Sequence, residues 1–465
     1  MSTKYAAVIE ETRALARIVT VDAITPIKKA DFIELATIGG WQCIVKKGEF
    51  KVGDSGLYCE IDSLLPVTHP VFAFLAERKE GLKTFHDVVY SRIRTMKMKG
   101  EVSQGLLVPV PEEYRSSGVG TNLTNLLGVR KLEEIITNTD GFDGRLNSDV
   151  PPNWFEKIVR WIAGKPARSQ FGPWPSALSK SDQNRIQNVG HHYATAVAEE
   201  ELFEETVKLD GSSMTVYNLP DMDEAGPTVR PGVCSRNYDL SLVDITFTWE
   251  QVIRRFLAQN LAGLGNGISG IYRSVKYFAG KAIKGEIKPL DALAEVLFKR
   301  YFWFSPIRKV IRAEDDTFVG YVLRNDLLGK LAEYNRVNND MISIQGELVG
   351  PGIQGNYEQI DEVEFYVYQV YRNGKLWVDP LEARKIVEAM GLKYIPVLGT
   401  SVKLPPSVKE CLKRADGKGA FNEEVAREGV VLKSLTRDFS FKVIGNGYLL
   451  AKEKAMEEEA AAEAA

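Results

Sequence analysis

Short runs of alternating apolar and polar residues, broken by glycine turns, fill the first hundred or so positions. Residues 16–21 and 32–36 alternate as strands do, and Gly39-Gly40, Lys47-Gly48 and Val52-Gly53-Asp54 read as turns. The pattern returns at residues 56–61 and 105–109. About five short strands in roughly 100 residues suit a small Greek-key barrel of the OB kind.

Beyond the barrel the periodicity changes twice. Residues 140–200 are mixed and rich in turn formers, with Pro151-Pro152, Pro166 and Pro173, and read as linker and lead-in. Ser181-Asp182-Gln183 reads as a helix start that puts Arg185 just inside a helix. Strand patterning resumes from residue 202 to about 240. Trp249, Val252, Ile253, Phe256 and Leu257 then fall at helical spacing and open a helical insertion, about 248–335. Strands return at residues 341–349, 364–371, 428–434 and 440–444, and the Glu/Ala-rich end reads as frayed helix or disordered tail. The expected fold is α+β. An OB-like domain (1–125) and a linker (126–200) precede a domain of antiparallel sheets flanked by helices (201–452), with an acidic tail (453–465).

Composition narrows the class. The 465 residues are enough for two or three domains, and 44% hydrophobic with 26% charged residues describes a soluble globular chain. No uncharged apolar run reaches about 18 residues, so no membrane partner is expected. The first residues lack the apolar core of a secretory signal. Cys43, Cys59, Cys234 and Cys411 are scattered, which argues against a zinc site or disulfide framework and fits a reducing, intracellular setting. His69, His86, His191 and His192 show no metal-ligand spacing. A net charge of −3 means that any nucleic-acid surface must be local.

Two local basic features answer to that description. Between Ile271 and Arg312 ten basic residues, Lys281 and Lys284 among them, face only Glu286, Asp291 and Glu295. They read either as a solvated helical face or as contacts to nucleic-acid phosphates. Arg92, Arg94, Lys97 and Lys99 alternate along the barrel segment and either line a nucleic-acid groove or keep an edge strand soluble.

The chemistry-bearing motifs follow one another in order. They are Lys208-Leu209-Asp210-Gly211, Ser235-Arg236-Asn237, Gly346-Glu347-Leu348, residues 365–370, Glu428-Gly429-Val430-Val431-Leu432-Lys433 and Ser440-Phe441-Lys442. Each alone is an ordinary turn or strand; the ordered set is specific. With it the chain resembles the covalent nucleotidyltransferases, and within them the ATP-dependent RNA ligases that carry an N-terminal OB-like domain. The resemblance extends to residues 39–50 and 92–105.

That resemblance implies an adenylyltransferase domain that uses ATP and Mg²⁺ or Mn²⁺ and seals 3′-hydroxyl to 5′-phosphate ends, in a cytoplasmic or virus-encoded intracellular enzyme of RNA repair. Lys208 is implied as the nucleophile that becomes lysyl-AMP. A free lysine with a pKa near 10.4 is a poor nucleophile, and nearby positive charge from Lys442 and a metal favours the neutral amine. Asp210, Gly211, Arg236, Glu347, Tyr368, Lys442 and Arg185 are implied in holding the nucleotide, and Glu428 with Glu347 in holding the metal. Tyr368 stands where the family usually has a stacking phenylalanine, Gln369 replaces the common aspartate, and Val207 replaces a frequent glutamate. The implied partner is RNA, as a nicked duplex, a broken strand or an RNA–DNA hybrid; the sequence leaves the oligomeric state open, with a monomer favoured. The alternatives are a DNA ligase or capping-type enzyme, or a non-catalytic OB-type nucleic-acid binder. Only 23 residues follow Lys442, too few for a trailing barrel, and that favours the RNA-ligase branch.

Overall fold

The computed structural model describes residues 14–77, 82–85, 88–131, 171–180, 183–223, 226–240, 242 and 316–464. Most of the predicted helical insertion, with Lys281 and Lys284, lies outside the described residues. Among the described residues no helix is long and apolar enough to cross a membrane.

The first domain is mostly strand and turn, as its alternation predicts, with 3-10 helices at Pro70–Glu77 and Glu112–Tyr114. It holds eleven described strands between Ala16 and Pro109, rather than about five. The additional ones include four-residue pieces such as Ala23–Pro26 and Ser63–Pro66, too short for a period of two to register. Ser55–Cys59 runs antiparallel to both Ala16–Thr20 and Leu106–Pro109. Trp41, Leu57, Tyr58, Phe72 and Leu123 fill the centre. Burying each such side chain contributes roughly 1.5–3 kcal/mol.

The second domain sorts its residues by face. In the eight-stranded sheet, Met214, Val216, Ile344 and Val367 turn one way. They pack under the helices Thr317–Arg324, Leu327–Asn338 and Pro380–Ala389, which contribute Val322, Leu331 and Ile386. In the five-stranded sheet, Phe203, Val430, Leu432, Phe441 and Val443 pack under the helices Gly190–Ala198 and Val408–Ala415. Strand residues alternate sides, so the opposite faces carry the intervening positions. These include Ser213 and Glu347 on the larger sheet and Glu204, Lys208, Lys433 and Lys442 on the smaller. The two polar faces bound the cleft that holds the motifs.

Two expectations are corrected here. Arg185 is not inside a helix: Asn184–Arg185 is a short strand parallel to Ser440–Ile444, with Arg185 opposite Lys442. Edge pairing holds Arg185 just outside: a 3-10 turn at Ile186–Asn188 follows it, and the α-helix begins at Gly190. Of the two readings of the chain's end, helix or disordered tail, the helix holds, and it starts earlier than the tail: Asn446–Ala464 form one helix. Its Leu449 packs against the barrel core, and Asn446 accepts from Gln104 Nε2 at 3.0 Å.

Glu453, placed by sequence in the acidic tail, is 2.9 Å from Arg92, whose other partner is Asp62 at 2.7 Å. The Arg92 side chain keeps only 13% of its surface exposed. Arg92, expected to face nucleic acid, is thus committed to holding the last helix on the barrel. Asn188 ties the domains a second time, accepting from Trp41 Nε1 at 3.2 Å and donating to Glu60 at 3.3 Å. We expect Glu453→Gln to lower stability in urea by about 1–2 kcal/mol, between the values for exposed and buried pairs. Adding Arg92→Met should cost less than the two single losses summed. Strict additivity would show that the pair is not coupled.

Candidate active site

Lys208 ends the Leu202–Lys208 strand, directly opposite Gly429. Glu428, one residue earlier, is thereby brought beside it, with Nζ to Oε1 at 2.7 Å. Gly211 is required by close approach. A Cβ there would meet the Leu348 carbonyl and lie 2.7 Å from Val349 Cγ1 and 2.9 Å from Glu347 Cγ. The missing side chain lets the Asp210-Gly211 turn lie against the Glu347 strand, Ile342–Val349, so the nucleophile and Glu347 share one site.

Three carboxylates act on Lys208. Burial works to lower its pKa, but Glu428, Glu347 and Asp210 outweigh this and hold the ammonium form above the ordinary lysine range. Glu347 is pushed up to about 8, chiefly by burial, with Lys208 and Arg236 opposing and Glu428 and Asp210 adding to the rise. Burial likewise raises Glu428, against the pull of Lys208. Arg236, on the exposed turn after the Gly226–Cys234 strand, acts on the site through its charge. The resting arrangement is therefore a protonated lysine clamped by an acid, a nucleophile in latent form.

The fit to a divalent ion is partial. Glu428 Oε2 is buried with no hydrogen-bond partner, an oxygen in search of a positive charge. Yet among the described residues no three His, Cys, Asp or Glu side chains converge as a ligand set. This suits an ion that keeps most of its water and takes one or two carboxylates, as Mg²⁺ does, better than an all-protein cage.

Tyr368 lies on the Glu364–Arg372 strand, at a break in its ladder. Gln345 pairs with Gln369 and Gly346 with Val367, which leaves Tyr368 as the extra residue of a β-bulge. Its hydroxyl is 2.9 Å from Ser213 Oγ. Ser213 stands two strands away, beyond the Glu347 strand. Two strand spacings are about 10 Å, so the ring must lie flat across the intervening strand. The ring is half-buried and packs on the apolar cluster of Val207, Leu209, Val349 and Ile395. Lys442 stands opposite Val431, itself opposite Thr206, on the same face as Lys208.

Known proteins share this fold. An RNA ligase family model matches residues 297–444, and an OB-fold domain model matches residues 15–110. Solved structures of an RNA ligase from Naegleria gruberi match almost end to end. A variant with ATP and Mn is 27% identical with a TM-score of 0.63, covering 95% of this chain and 99% of that one. A variant with AMP and Mn is 28% identical with a TM-score of 0.61, covering 94% and 99%. The form with PPi is 27% identical with a TM-score of 0.59, covering 95% and 100%. The chain is an RNA ligase with an OB-fold domain in front. No curated protein sequence matches it.

Within the ligase, Lys208, Asp210, Gly211, Arg236, Glu347 and Glu428 come together as the motifs imply. Arg185 does not join them, because its guanidinium points to the barrel acid Asp62, 3.5 Å away. Gln369 spends its amide on the carbonyls of Val370 and Val378, a structural use. Lys97 and Lys99 are exposed where the Thr95–Met98 and Glu101–Gln104 strands turn, and Arg94 is half-buried. Sequence reasoning missed Tyr448 and Lys452, whose hydroxyl and ammonium hold Asp210 at 2.7 and 3.2 Å. Their i, i+4 spacing just after the last motif was the available signal. It also missed Glu204, which shares a strand face with Lys208 at a spacing of four.

Proposed function

We propose that the ligase uses ATP with Mg²⁺ or Mn²⁺ and works through a lysyl-AMP intermediate in RNA repair. Lys208 Nζ, once its ammonium has given a proton to solvent, attacks the α-phosphate; the new N–P bond forms as the bond to pyrophosphate breaks, and pyrophosphate leaves. AMP then passes to a 5′-phosphate, and a 3′-hydroxyl displaces it to seal the strand. The observation that carries this reading is the Lys208–Glu428 pair at 2.7 Å, with Glu347 and Asp210 also acting on the lysine through their charge. ATP and AMP occur with Mn in the Naegleria gruberi ligase variants, which supports the same ligands here.

A bound divalent ion supplies positive charge that competes with Lys208 for Glu428 and Glu347 and offsets the charge of the phosphates. The chain's own groups do the rest. Tyr368 carries the adenine, Glu347 and Arg236 border the ribose and phosphates, and Lys442 adds charge on the nucleophile's face. Phosphoryl-type transfer needs little beyond such positioning and neutralisation. Four cysteines buried as free thiols support a reducing compartment.

The test is a panel of nicked duplexes with RNA or DNA at each strand, incubated with ATP and Mn²⁺. RNA-containing nicks should be sealed at least about tenfold faster than the all-DNA nick. Equal or faster sealing of all-DNA nicks would move the enzyme to the DNA-ligase reading.

A further inference from the structure

Lys433 is 2% exposed, follows the Glu428 motif and has no part in the chemistry above. It stands four residues beyond Gly429, about 13 Å along the strand from the nucleophile's register, at the far end of the cleft. Its ammonium donates to the Tyr368 carbonyl. That carbonyl belongs to the bulged residue, which the ladder skips. The same ammonium reaches Tyr394 Oη at 3.4 Å and lies 5.3 Å from the Tyr394 ring centroid. Tyr394 in turn donates to Glu204 Oε2 at 2.9 Å. Glu204 is fully buried, and its strand position is directly opposite Lys433.

A bulge frees a carbonyl that must find a donor when buried, and a lone buried lysine needs acceptors and a counter-charge. Each requirement meets the other here. We propose that Lys433 is a positioning residue for the nucleotide base: reaching from the five-stranded sheet, it pins the bulge in the eight-stranded sheet that lays the Tyr368 ring flat. This rests on the reading of Tyr368 as the adenine platform. Without the pin the Tyr368 carbonyl loses its donor and the bulge loosens, which lets Tyr368 move out of place and leaves Glu204 buried without a cation.

The two functions of a lysine here separate experimentally. A purely structural lysine would lower the amount of folded enzyme and leave its ATP dependence unchanged. The pin acts on base binding, so Lys433→Met should raise the ATP KM for lysine labelling at least tenfold while the saturated rate stays within about threefold. In a Tyr368→Ala background the same change should shift KM by less than about twofold, because the platform is already gone.

pH offers a further readout. Burial lowers the Lys433 pKa to about 8, with Glu204 opposing. The pin therefore carries its charge below that pH and is left as a weaker, neutral donor above it. The ATP KM of the wild type should climb more steeply above about pH 8 than that of Lys433→Arg, in which only Glu347 still titrates there. The groups around it are Glu204, Tyr394 and the Arg384 and Asp379 that act on Tyr394.

If Lys433→Met does not fold, Glu204→Gln/Lys433→Met removes both buried charges and is read the same way. An unchanged KM in a folded Lys433→Met or double variant overturns the inference, as does a full effect in the Tyr368→Ala background. A wild-type enzyme that takes no label from ATP at all overturns the functional reading itself, and the inference with it.

Discussion

Lys208→Ala should take no label from ATP radiolabelled in the α-phosphate and should fail to join ordinary RNA ends. The expected loss is on the order of 10⁴-fold or more, the scale seen when a covalent nucleophile is removed. The Lys208 side chain keeps 25% of its surface exposed, so the loss belongs to chemistry and should not come with unfolding. The variant should still join a strand whose 5′ end already carries AMP, because that step needs the 3′-hydroxyl and not the lysine amine. Lys208→Arg should not rescue labelling, since guanidinium stays protonated at any working pH. Label retained by the alanine variant would move the attacking group elsewhere.

The site was legible where function is tied to sequence order. Lys208, Gly211 and Glu428 belong to short motifs whose residues are neighbours in the chain or face each other across one ladder step. The barrel was legible as a class because alternation marks strands, although four-residue strands such as Ser63–Pro66 escaped.

What escaped depends on distance in sequence. The Arg185 helix reading failed because pairing with a strand more than 250 residues later decides its conformation. Arg92 looked like one of an alternating basic row, yet its charge is matched by Glu453, 361 residues on. The bulge at Tyr368 was invisible for a related reason. An extra residue is defined only against the register of a partner strand, and Gln345 and Gly346 supply that register. Lys433 acquires its role only from that bulge.

Glu428→Gln decides between two opposed roles for one carboxylate. As a counter-ion at 2.7 Å, Glu428 holds Lys208 protonated and slows attack. As the owner of a buried, unpartnered oxygen, it is the group best placed to attract a divalent ion. Glutamine keeps the size and one acceptor but removes the charge. If the counter-ion role dominated, the variant would label faster than wild type. We expect the opposite, a fall in labelling of about 10²–10³-fold, the scale of losing one contact that matters in the transition state. Raising Mg²⁺ or Mn²⁺ should recover part of that loss, because the remaining acids, Glu347 and Asp210, still attract the ion. A second readout needs no turnover. Mn²⁺ should raise the thermal midpoint of the wild type more than that of Glu428→Gln, since a ligand stabilises the state it binds the more the tighter it binds. A variant that labels slowly but gains the full Mn²⁺ stabilisation would assign Glu428 to Lys208 alone and leave the ion to Glu347.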